Sequence, residues 1–528
     1  IMLLSSLGMS LNIMTLGGLA LAIGILVDDA TVEIENIHRN IHLGKDLQTA
    51  ILDGAEQIAV PTFVATTAIC IVFIPVVLLE GPARFLFVPF ALAVVFAVGA
   101  SYGLSRTLVP VMVKYMLRSE MAETERNDGM FSAFRKIHTS FNLCFDNLQI
   151  AYLKALRWSL DSSWTVVGLA ALVFISGLVL LPFVGRDFFP RVDAGQFRLH
   201  VKARSGMRIE ETEKIFTAVE DEIRNVIPKR EIELLIDNIG VPAEAFNLAF
   251  GDSATIGTAD GEVLVSLSHH RLHSTPYYMQ KVRTRLSEKF PDVTFYYQPA
   301  DIVNQILSFG LPSPIDVRVA GYNRDENLKI ANEIMAKIKM VRGAADVHLH
   351  QEVDSPVLRL NVDRTRAARF GLTQRDVAND VLVSLSSNTQ VTPNYWVDPA
   401  TGIQYFLAVQ TPQHKITSVD SILKTPLSTD RAIHTAEFLG NVADIERGTG
   451  FGVLNHFNVQ PVFDIYANVQ SRDLGGVSED VQKIVSEYRP RLKPGNQIIV
   501  RGVVESMDTA FFKLGMGLAG AIVFVYLL

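Results

Sequence analysis

The chain has 528 residues, of which 49% are hydrophobic and 20% are charged, and its mean hydropathy is +0.25. This composition is too apolar for a water-soluble chain of that length, so a membrane component is expected. The net charge of -7 comes without a basic block interleaved with aromatics, which excludes a nucleic-acid partner, and two cysteines are too few for a disulfide framework.

Apolar windows of about 20 residues are long enough to cross a bilayer. They predict membrane spans at 15–36, 58–79, 85–108 and 164–184, with partial spans at the two ends of the chain. Because both ends fall inside apolar runs, we expect an internal part of a longer protein. A turn at 80–84 separates the second and third spans. The stretch 106–157 is rich in Lys and Arg and is predicted to be cytoplasmic, with a helix at 131–160 lying on the membrane surface.

The character of the sequence changes near residue 185, and the part up to about 506 is typical of a soluble α+β region on the opposite side of the membrane. Strand-like and helix-like patterns alternate there as four successive β-α-β units, at 196–239, 262–298, 315–351 and 462–502. Four such units predict two split β-α-β, ferredoxin-like subdomains. An insertion at 373–457, rich in short strand and turn signals, interrupts the second one.

Two consecutive acids, Asp28 and Asp29, lie near the middle of the first span. An ionised acid at that depth costs several kcal/mol unless it is paired, solvated or protonated. The alternative is that the pair caps a soluble helix, but acids inside an unbroken apolar helix make a poor cap. The pair therefore predicts a proton relay. Adjacent helical residues project about 100° apart, so both acids can face a bundle interior but cannot overlie each other.

The run GGLALAIGILVDDATVEIENIHRN at 17–40 resembles the fourth transmembrane helix of RND (resistance-nodulation-cell division) efflux pumps, and specifically of exporters of hydrophobic compounds and drugs. The resemblance extends to the helix around Pro61, to SRTLVP at 105–110 and to FFPRVDAGQF at 188–197. It implies an α-helical transmembrane bundle plus an α+β periplasmic porter region of ferredoxin-like subdomains. Asp28 and Asp29 match the family's proton-accepting pair, whose Lys and Arg partners fall outside this sequence.

The resemblance also implies a domain assignment, running from the tail of the third span to the start of the eighth. The assigned domains are transmembrane helices at 1–184, a first porter subdomain at 185–312, a second at 313–372 and 458–505, a docking-like insertion at 373–457, and the start of the last span at 506–528. Two residues depart from the drug-exporter pattern. Glu33 is expected to be an interfacial acid, with an extra proton-entry group as the alternative, and Arg106 is expected to extend toward the cytoplasmic interface.

The Gly- and Ala-rich connection 239–261 resembles, by position, the switch loop of drug-exporting relatives. Phe246 and Phe250 are therefore candidates for a substrate pocket, and the alternative is that they pack under their own loop. His348 and His350 share a strand face, but without a third ligand in the same motif no metal site is claimed.

The resemblance implies a secondary active transporter rather than an enzyme, driven by the proton motive force without a cofactor. It would export hydrophobic or amphiphilic small molecules as a homotrimer in the bacterial inner membrane, together with a periplasmic adaptor and an outer-membrane channel. The alternatives are a heavy-metal RND exporter, which typically has a D-F-G...D-G-A version of this helix, and a non-transporting sterol-sensing receptor. An intramembrane aspartyl protease needs its two carboxylates on separate helices, which Asp28 and Asp29 do not provide.

Overall fold

The computed structural model describes residues 1–123, 132–180, 183–189, 193–241, 255–300, 305, 310–428 and 437–528. The chain divides into two compact units, each assembled from separate stretches of sequence. The first unit comprises Ile1–Gln196, Tyr297–His348 and Asp464–Leu528, and the second comprises Phe197–Tyr296 and Leu349–Phe463.

The described α-helices are α1 (Met2–Ser6), α2 (Ile13–His42), α3 (Leu47–Val72), α4 (Ile74–Val77), α5 (Gly81–Glu123), α6 (Ser132–Asp161), α7 (Ser163–Leu180), α8 (Ile209–Val226), α9 (Thr275–Lys289), α10 (Arg324–Ile338), α11 (Arg364–Arg369), α12 (Gln374–Ser386), α13 (Val419–Leu423), α14 (Leu474–Tyr488) and α15 (Val503–Leu527). The described strands are β1 (Gln196–Lys202), β2 (Ile232–Ile239), β3 (Asp260–Leu267), β4 (Thr294–Gln298), β5 (Ile315–Ala320), β6 (Ala344–Leu349), β7 (Ser355–Val362), β8 (Asn394–Val397), β9 (Gln404–Leu407), β10 (Pro426–Leu427), β11 (Glu437–Phe438), β12 (Ala443–Gly450), β13 (Asn455–Phe457), β14 (Gln460–Val469) and β15 (Gln497–Arg501). Long helices therefore occupy both ends of the chain and strands lie between them.

Five helical segments of the described chain are long and apolar enough to cross a membrane, namely α2, Leu47–Val77, Ala83–Met116, α7 and α15. All apolar side chains of α7 are at least partly exposed, as lipid contact requires of a helix that is hydrophobic on every side. The predicted turn at 80–84 is displaced, because α4 ends at Val77 and α5 already begins at Gly81. The predicted surface helix is present as α6, and its position at the membrane remains a prediction.

Three of the membrane helices, α2, α3 and α5, pack together in the first unit. Helices α2 and α5 run parallel, because residues with higher numbers on α2 meet residues with higher numbers on α5. Leu26 meets Ser101, and Ile37 packs in one cluster with Val113. The short connection between α2 and α3 makes α3 antiparallel to both. The C-terminal ends of α2 and α5 thus lie on the side that the basic stretch 106–157 predicts to be cytoplasmic.

Glycine allows two close approaches within this helix bundle. A Cβ atom on Gly18 of α2 would lie 2.6 Å from the carbonyl oxygen of Phe90 on α5. A Cβ atom on Gly54 of α3 would lie 3.0–3.2 Å from atoms of Ile37 on α2. Small residues at such points let helix backbones approach closely in a membrane, where van der Waals packing drives association.

The second unit contains the first of two ferredoxin-like subdomains. Its four-stranded sheet has the order β2-β3-β1-β4, with β2 and β3 antiparallel from Ile232↔Leu267 to Ile239↔Gly261. Helices α8 and α9 connect β1 to β2 and β3 to β4, so the sheet consists of two β-α-β units. Buried residues of β1, β3 and the two helices form its core, among them Leu199, Val265, Ile223 and Leu286.

The first unit contains a sheet with the same order, which arises from the other two β-α-β units. Strand β14 pairs with β6 and β5, and β5 pairs antiparallel with β15, from Gln497↔Ala320 to Arg501↔Asp316. Helices α10 and α14 connect β5 to β6 and β14 to β15. Two separate sheets confirm the predicted fold class, a transmembrane helical bundle plus an α+β region of split β-α-β subdomains.

The inserted region is held by a long antiparallel pair of strands in the second unit. Strand β7 pairs with β12 from Ser355↔Gly450 to Val362↔Ala443, and β8 pairs with β9 in a separate hairpin. A core of Ala367, Leu372, Val377 and neighbouring apolar residues lies beside this pair. Because β7 falls in the range 313–372 and β12 falls in 373–457, the pairing joins two predicted domains, whose boundaries remain predictions.

Candidate functional site

The candidate site is built on α2, whose start is fixed by a reciprocal cap. The side chain of Asn12 accepts a hydrogen bond from the Thr15 amide at 3.0 Å, and the Asn12 amide donates to Thr15 Oγ1 at 2.8 Å. The helix then continues without interruption for 30 residues. With a rise of about 1.5 Å per residue, Asp28 and Asp29 lie roughly 23 Å from its start, near the middle.

The two acids differ in their surroundings. The side chain of Asp28 is exposed in the described chain, whereas Asp29 is half buried. One carboxylate oxygen of Asp29, Oδ2, is buried and has no hydrogen-bond partner among the described residues. The two side chains differ in exposure because adjacent residues project roughly 100° apart around a helix. The structure therefore directs Asp29 toward the bundle, and the proton-carrying role of both acids remains a prediction.

One turn beyond Asp29, Glu33 is fully buried and forms an ion pair with Arg106 of α5. The expectations that Glu33 is interfacial and that Arg106 extends to the interface are therefore wrong. The physical reason is that each charge neutralises the other, so neither needs the interface. The side chain of Arg106 is only 14% exposed. A cation is thus present inside the bundle within this chain.

Arg106 joins three helices rather than two. Its guanidinium also donates to acceptors on α3, namely the carbonyl oxygens of Ala55 at 3.2 Å and Ile58 at 3.4 Å, and Thr62 Oγ1. The guanidinium carbon lies 5.7 Å from the centre of the Tyr102 ring on its own helix. A planar group with several donors can satisfy a carboxylate and backbone carbonyls together, which Lys could not do with the same geometry.

Polar residues continue along the same face of α2 toward its C-terminal end. Asn36 donates to the carbonyl oxygen of Gly54 at 2.8 Å, and both Asn36 and Asn40 donate to Gln57 Oε1 at 3.1 Å. We call the α2 residues Asp29, Glu33, Asn36 and Asn40 the polar seam. Their spacing of four, three and four residues places them on one face of a helix. This spacing was visible in the sequence, but the pairing of Glu33 with Arg106 was not recognised from it.

Beyond the polar seam, Lys45 closes the polar network at the turn between α2 and α3. Its ammonium group donates to Asn40 Oδ1 at 2.7 Å and to Asp53 Oδ2 at 2.6 Å. The ammonium and the carboxylate are each about one-third exposed, so this end of the network reaches solvent.

The predicted substrate-pocket residues Phe246 and Phe250 lie outside the described residues. His348 is half buried, with Nδ1 2.7 Å from the Asp346 carbonyl oxygen and its ring against Tyr466. In the part of the chain that the structure describes, no group of three or more His, Cys, Asp or Glu side chains is placed to hold a metal ion.

Buried charges also occur in the second ferredoxin-like subdomain. Arg318 donates to Asp464 Oδ1 at 2.5 Å and to Asp316 Oδ2 at 3.1 Å. Burial, and then the negative charge of Asp464, raise the pKa of Asp316 to about 7, despite the nearby guanidinium. These three residues lie on the neighbouring strands β5 and β14.

A helical membrane bundle with internal acids, joined in one chain to two ferredoxin-like α+β subdomains, is the architecture that the resemblance to the RND family predicts. The chain belongs to the AcrB/AcrD/AcrF family, because the model of that family matches residues 1–528. This membership confirms the resemblance to the RND family that the motifs indicate. It also places the chain in the bacterial inner membrane with a large periplasmic region.

The chain is similar to efflux proteins and to a motility protein. It is 25% identical over 537 residues to the "Cation efflux system protein CusA" of Escherichia coli (strain K12), which covers 99% of this chain and 48% of the relative. It is also 25% identical over 536 residues to the "Swarming motility protein SwrC" of Bacillus subtilis (strain 168), covering 100% of this chain and 47% of the relative. The chain thus spans about half the length of the curated relatives it matches.

A solved structure shows the same fold. The crystal structure of a heavy metal efflux pump superimposes with a TM-score of 0.73 and 21% identity, covering 99% of this chain and 49% of that one. At this level of identity, the likeness concerns the fold.

Proposed function

We propose that this chain belongs to an inner-membrane exporter that couples inward proton movement to the export of a heavy-metal cation. The observation behind proton coupling is the placement of Asp29, half buried in the middle of α2 with one oxygen that no described residue hydrogen-bonds. An ionisable residue at membrane depth is costly and is a functional feature by default. The proton motive force supplies the energy, and no cofactor is proposed.

The cargo is proposed from the relatives. CusA is named as a cation efflux protein, and the matching crystal structure is that of a heavy metal efflux pump. The sequence motifs favour hydrophobic or amphiphilic molecules, with metal export as the alternative. The similarity to metal exporters supports that alternative over the original interpretation.

A hydrophobic or amphiphilic cargo is the second candidate. It is favoured by the sequence around Asp28 and Asp29, which reads A-I-G...V-D-D-A and departs from the D-F-G...D-G-A version typical of metal exporters. Family membership supports either kind of export over a sterol-sensing receptor.

The two cargoes are distinguished by expressing the intact transporter in cells that lack their own metal and drug exporters. We expect tolerance to Cu⁺, Ag⁺, Zn²⁺ or Co²⁺ salts, lost in Asp29→Asn and retained in Glu35→Gln. Glu35 is the matched control because it is an exposed carboxylate on the same helix. Ethidium efflux without metal tolerance would instead establish the second candidate. If neither phenotype depends on Asp29, proton-driven export is overturned.

The exporter is also proposed to act as a homotrimer with a periplasmic adaptor and an outer-membrane channel. The support is the inserted region, whose β8–β9 hairpin exposes four aromatic side chains, Tyr395, Trp396, Tyr405 and Phe406. Exposed aromatic clusters are typical of protein–protein contact surfaces. We expect Trp396→Ser with Tyr405→Ser to reduce crosslinking between copies or to the adaptor, with the helices still inserted. Unchanged crosslinking would argue against this role for the hairpin.

A further inference from the structure

Buried polar atoms without partners are concentrated at one level of the helix bundle. They are Asp29 Oδ2, Glu33 Oε1, Thr66 Oγ1 and Arg106 Nε, none of which has a hydrogen-bond partner among the described residues. Buried polar groups are almost always satisfied by protein or by ordered water. Four unsatisfied atoms on three packed helices therefore indicate a site for bound water.

These atoms bracket the interval between Asp29 and Glu33. Thr62, which accepts a hydrogen bond from Arg106, lies at the level of Glu33. Because α3 is antiparallel to α2, Thr66 lies one turn farther from the α2–α3 connection, as Asp29 does. One helical turn is about 5.4 Å, a distance that a single water can bridge between two polar side chains.

Toward the predicted cytoplasmic side, Asn36 lies about one turn beyond Glu33. From Asn36, a hydrogen-bonded network through Gln57 and Asn40 reaches the partly exposed Lys45–Asp53 pair. On the other faces of α2, Asp28 and Glu35 are exposed and do not enter the polar seam. Polar side chains thus follow one another along one face of α2, from Asp29 to the partly exposed end of the bundle at Lys45 and Asp53.

We propose that the polar seam is the route by which the proton carried by Asp29 leaves toward the cytoplasm, with Glu33 as its last carboxylate and Arg106 as the counter-charge. This inference rests on the proposed proton-driven function and adds a residue that the family resemblance does not assign. The proton passes from the Asp29 carboxyl group through water to the Glu33 carboxylate. Glu33 then loses it to water beside Asn36 and Asn40, and both carboxylates are restored with no other bond changed.

The groups facing Glu33 fit this role. Among the described residues, α5 contributes the charged Arg106 and the titratable Tyr102, and α3 contributes the neutral hydroxyls of Thr62 and Thr66. An ionised Glu33 is therefore balanced by one cation, and among the described residues no second acid is in contact with it.

The alternative role for the ion pair is a static connection between three helices. A charge-neutral double variant distinguishes this structural role from proton transfer. In Glu33→Gln/Arg106→Gln, a neutral pair can still hydrogen-bond, and no buried charge is left alone, but residue 33 can no longer take up a proton. Glu33→Asp keeps a titratable group. Glu35→Gln is the exposed control.

The test uses inside-out membrane vesicles containing the intact transporter, energised by respiration, with a fluorescent amine that reports the proton gradient. Addition of Zn²⁺ or Cu⁺, and separately of ethidium, starts exchange. For Glu33→Gln/Arg106→Gln we expect gradient dissipation to slow by roughly 100-fold, as for loss of a proton-transferring group. Glu33→Asp should retain partial activity with a shifted dependence on external pH, and Glu35→Gln should match the wild type. Gel filtration of each solubilised variant verifies folding.

Wild-type exchange rates and pH dependence in the folded double variant would overturn the exit route. In that case, loss of exchange in Asp29→Asn would leave the proposed function standing. If Asp29→Asn also exchanged like the wild type, the proposed function itself would fail.

Discussion

Removing Arg106 alone should destabilise the bundle far more than removing both members of its ion pair. Glu33 is fully buried, and its described hydrogen bond is the one from Arg106, so Arg106→Gln leaves a buried carboxylate without a cation. Breaking one side of a buried pair typically costs about 3–5 kcal/mol. Since about 1.4 kcal/mol is a factor of ten, the ratio of folded to unfolded protein should fall at least roughly 100-fold.

The second substitution should restore most of that loss. Glu33→Gln/Arg106→Gln removes the uncompensated charge, so the two changes should couple by about 2 kcal/mol or more in a double-mutant cycle. The assay is unfolding in mixed micelles titrated with SDS, followed by circular dichroism. Arg84→Gln is the matched control, because Arg84 is exposed on the same helix, and it should change stability by less than about 0.5 kcal/mol. Additive single and double effects would refute the argument.

Replacing Asp28 or Asp29 with Asn should abolish efflux while cargo still binds the purified protein, because Asn keeps volume and hydrogen-bonding reach but cannot carry a proton; near-normal export by both variants would remove these residues from the mechanism. Asp316 has a pKa raised to about 7 from an ordinary value of 3.8, so its contribution to stability falls as pH rises from about 4 through 7. Asp316→Asn should therefore raise the thermal midpoint at pH 8 more than at pH 5. An equal change at both pH values would contradict the expected pH dependence of the Asp316 contribution to stability. Gly18→Val should destabilise the protein more than Gly17→Val in the same SDS titration, because a Cβ at residue 17 meets nothing within 4 Å; equal effects would show that helix propensity alone matters.

The sequence predicted the two ferredoxin-like subdomains closely. The unit predicted to begin at residue 196 begins with β1, Gln196–Lys202, and the unit predicted to begin at residue 315 begins with β5, Ile315–Ala320. These elements are defined by local periodicity, which repeats in four units and reinforces each assignment.

Contacts between distant residues could not be predicted in this way. The pairing of Glu33 with Arg106 spans 73 residues and depends on α2 and α5 running parallel at matched depth. Considered separately, each charge fits an interfacial position, so the sequence interpretation placed both there. The pairing of β7 with β12 is similar, because about 80 residues of short helices and strands separate the two strands along the chain. The difference between Asp28 and Asp29 likewise depends on which side of α2 its neighbours cover.

The β7–β12 pair brings the two ends of the inserted region next to each other. Because Val362 and Ala443 face each other across the ribbon, the segment 363–442 leaves and re-enters its host through adjacent residues. Most of its core residues, including Ala367, Leu372, Leu427 and Leu439, lie inside that segment. A segment with neighbouring ends and its own core can be exchanged between homologous proteins without changing the chain on either side. Chimaeras joined at these two positions would therefore transplant the proposed assembly surface between members of this family while leaving the membrane helices of each unchanged.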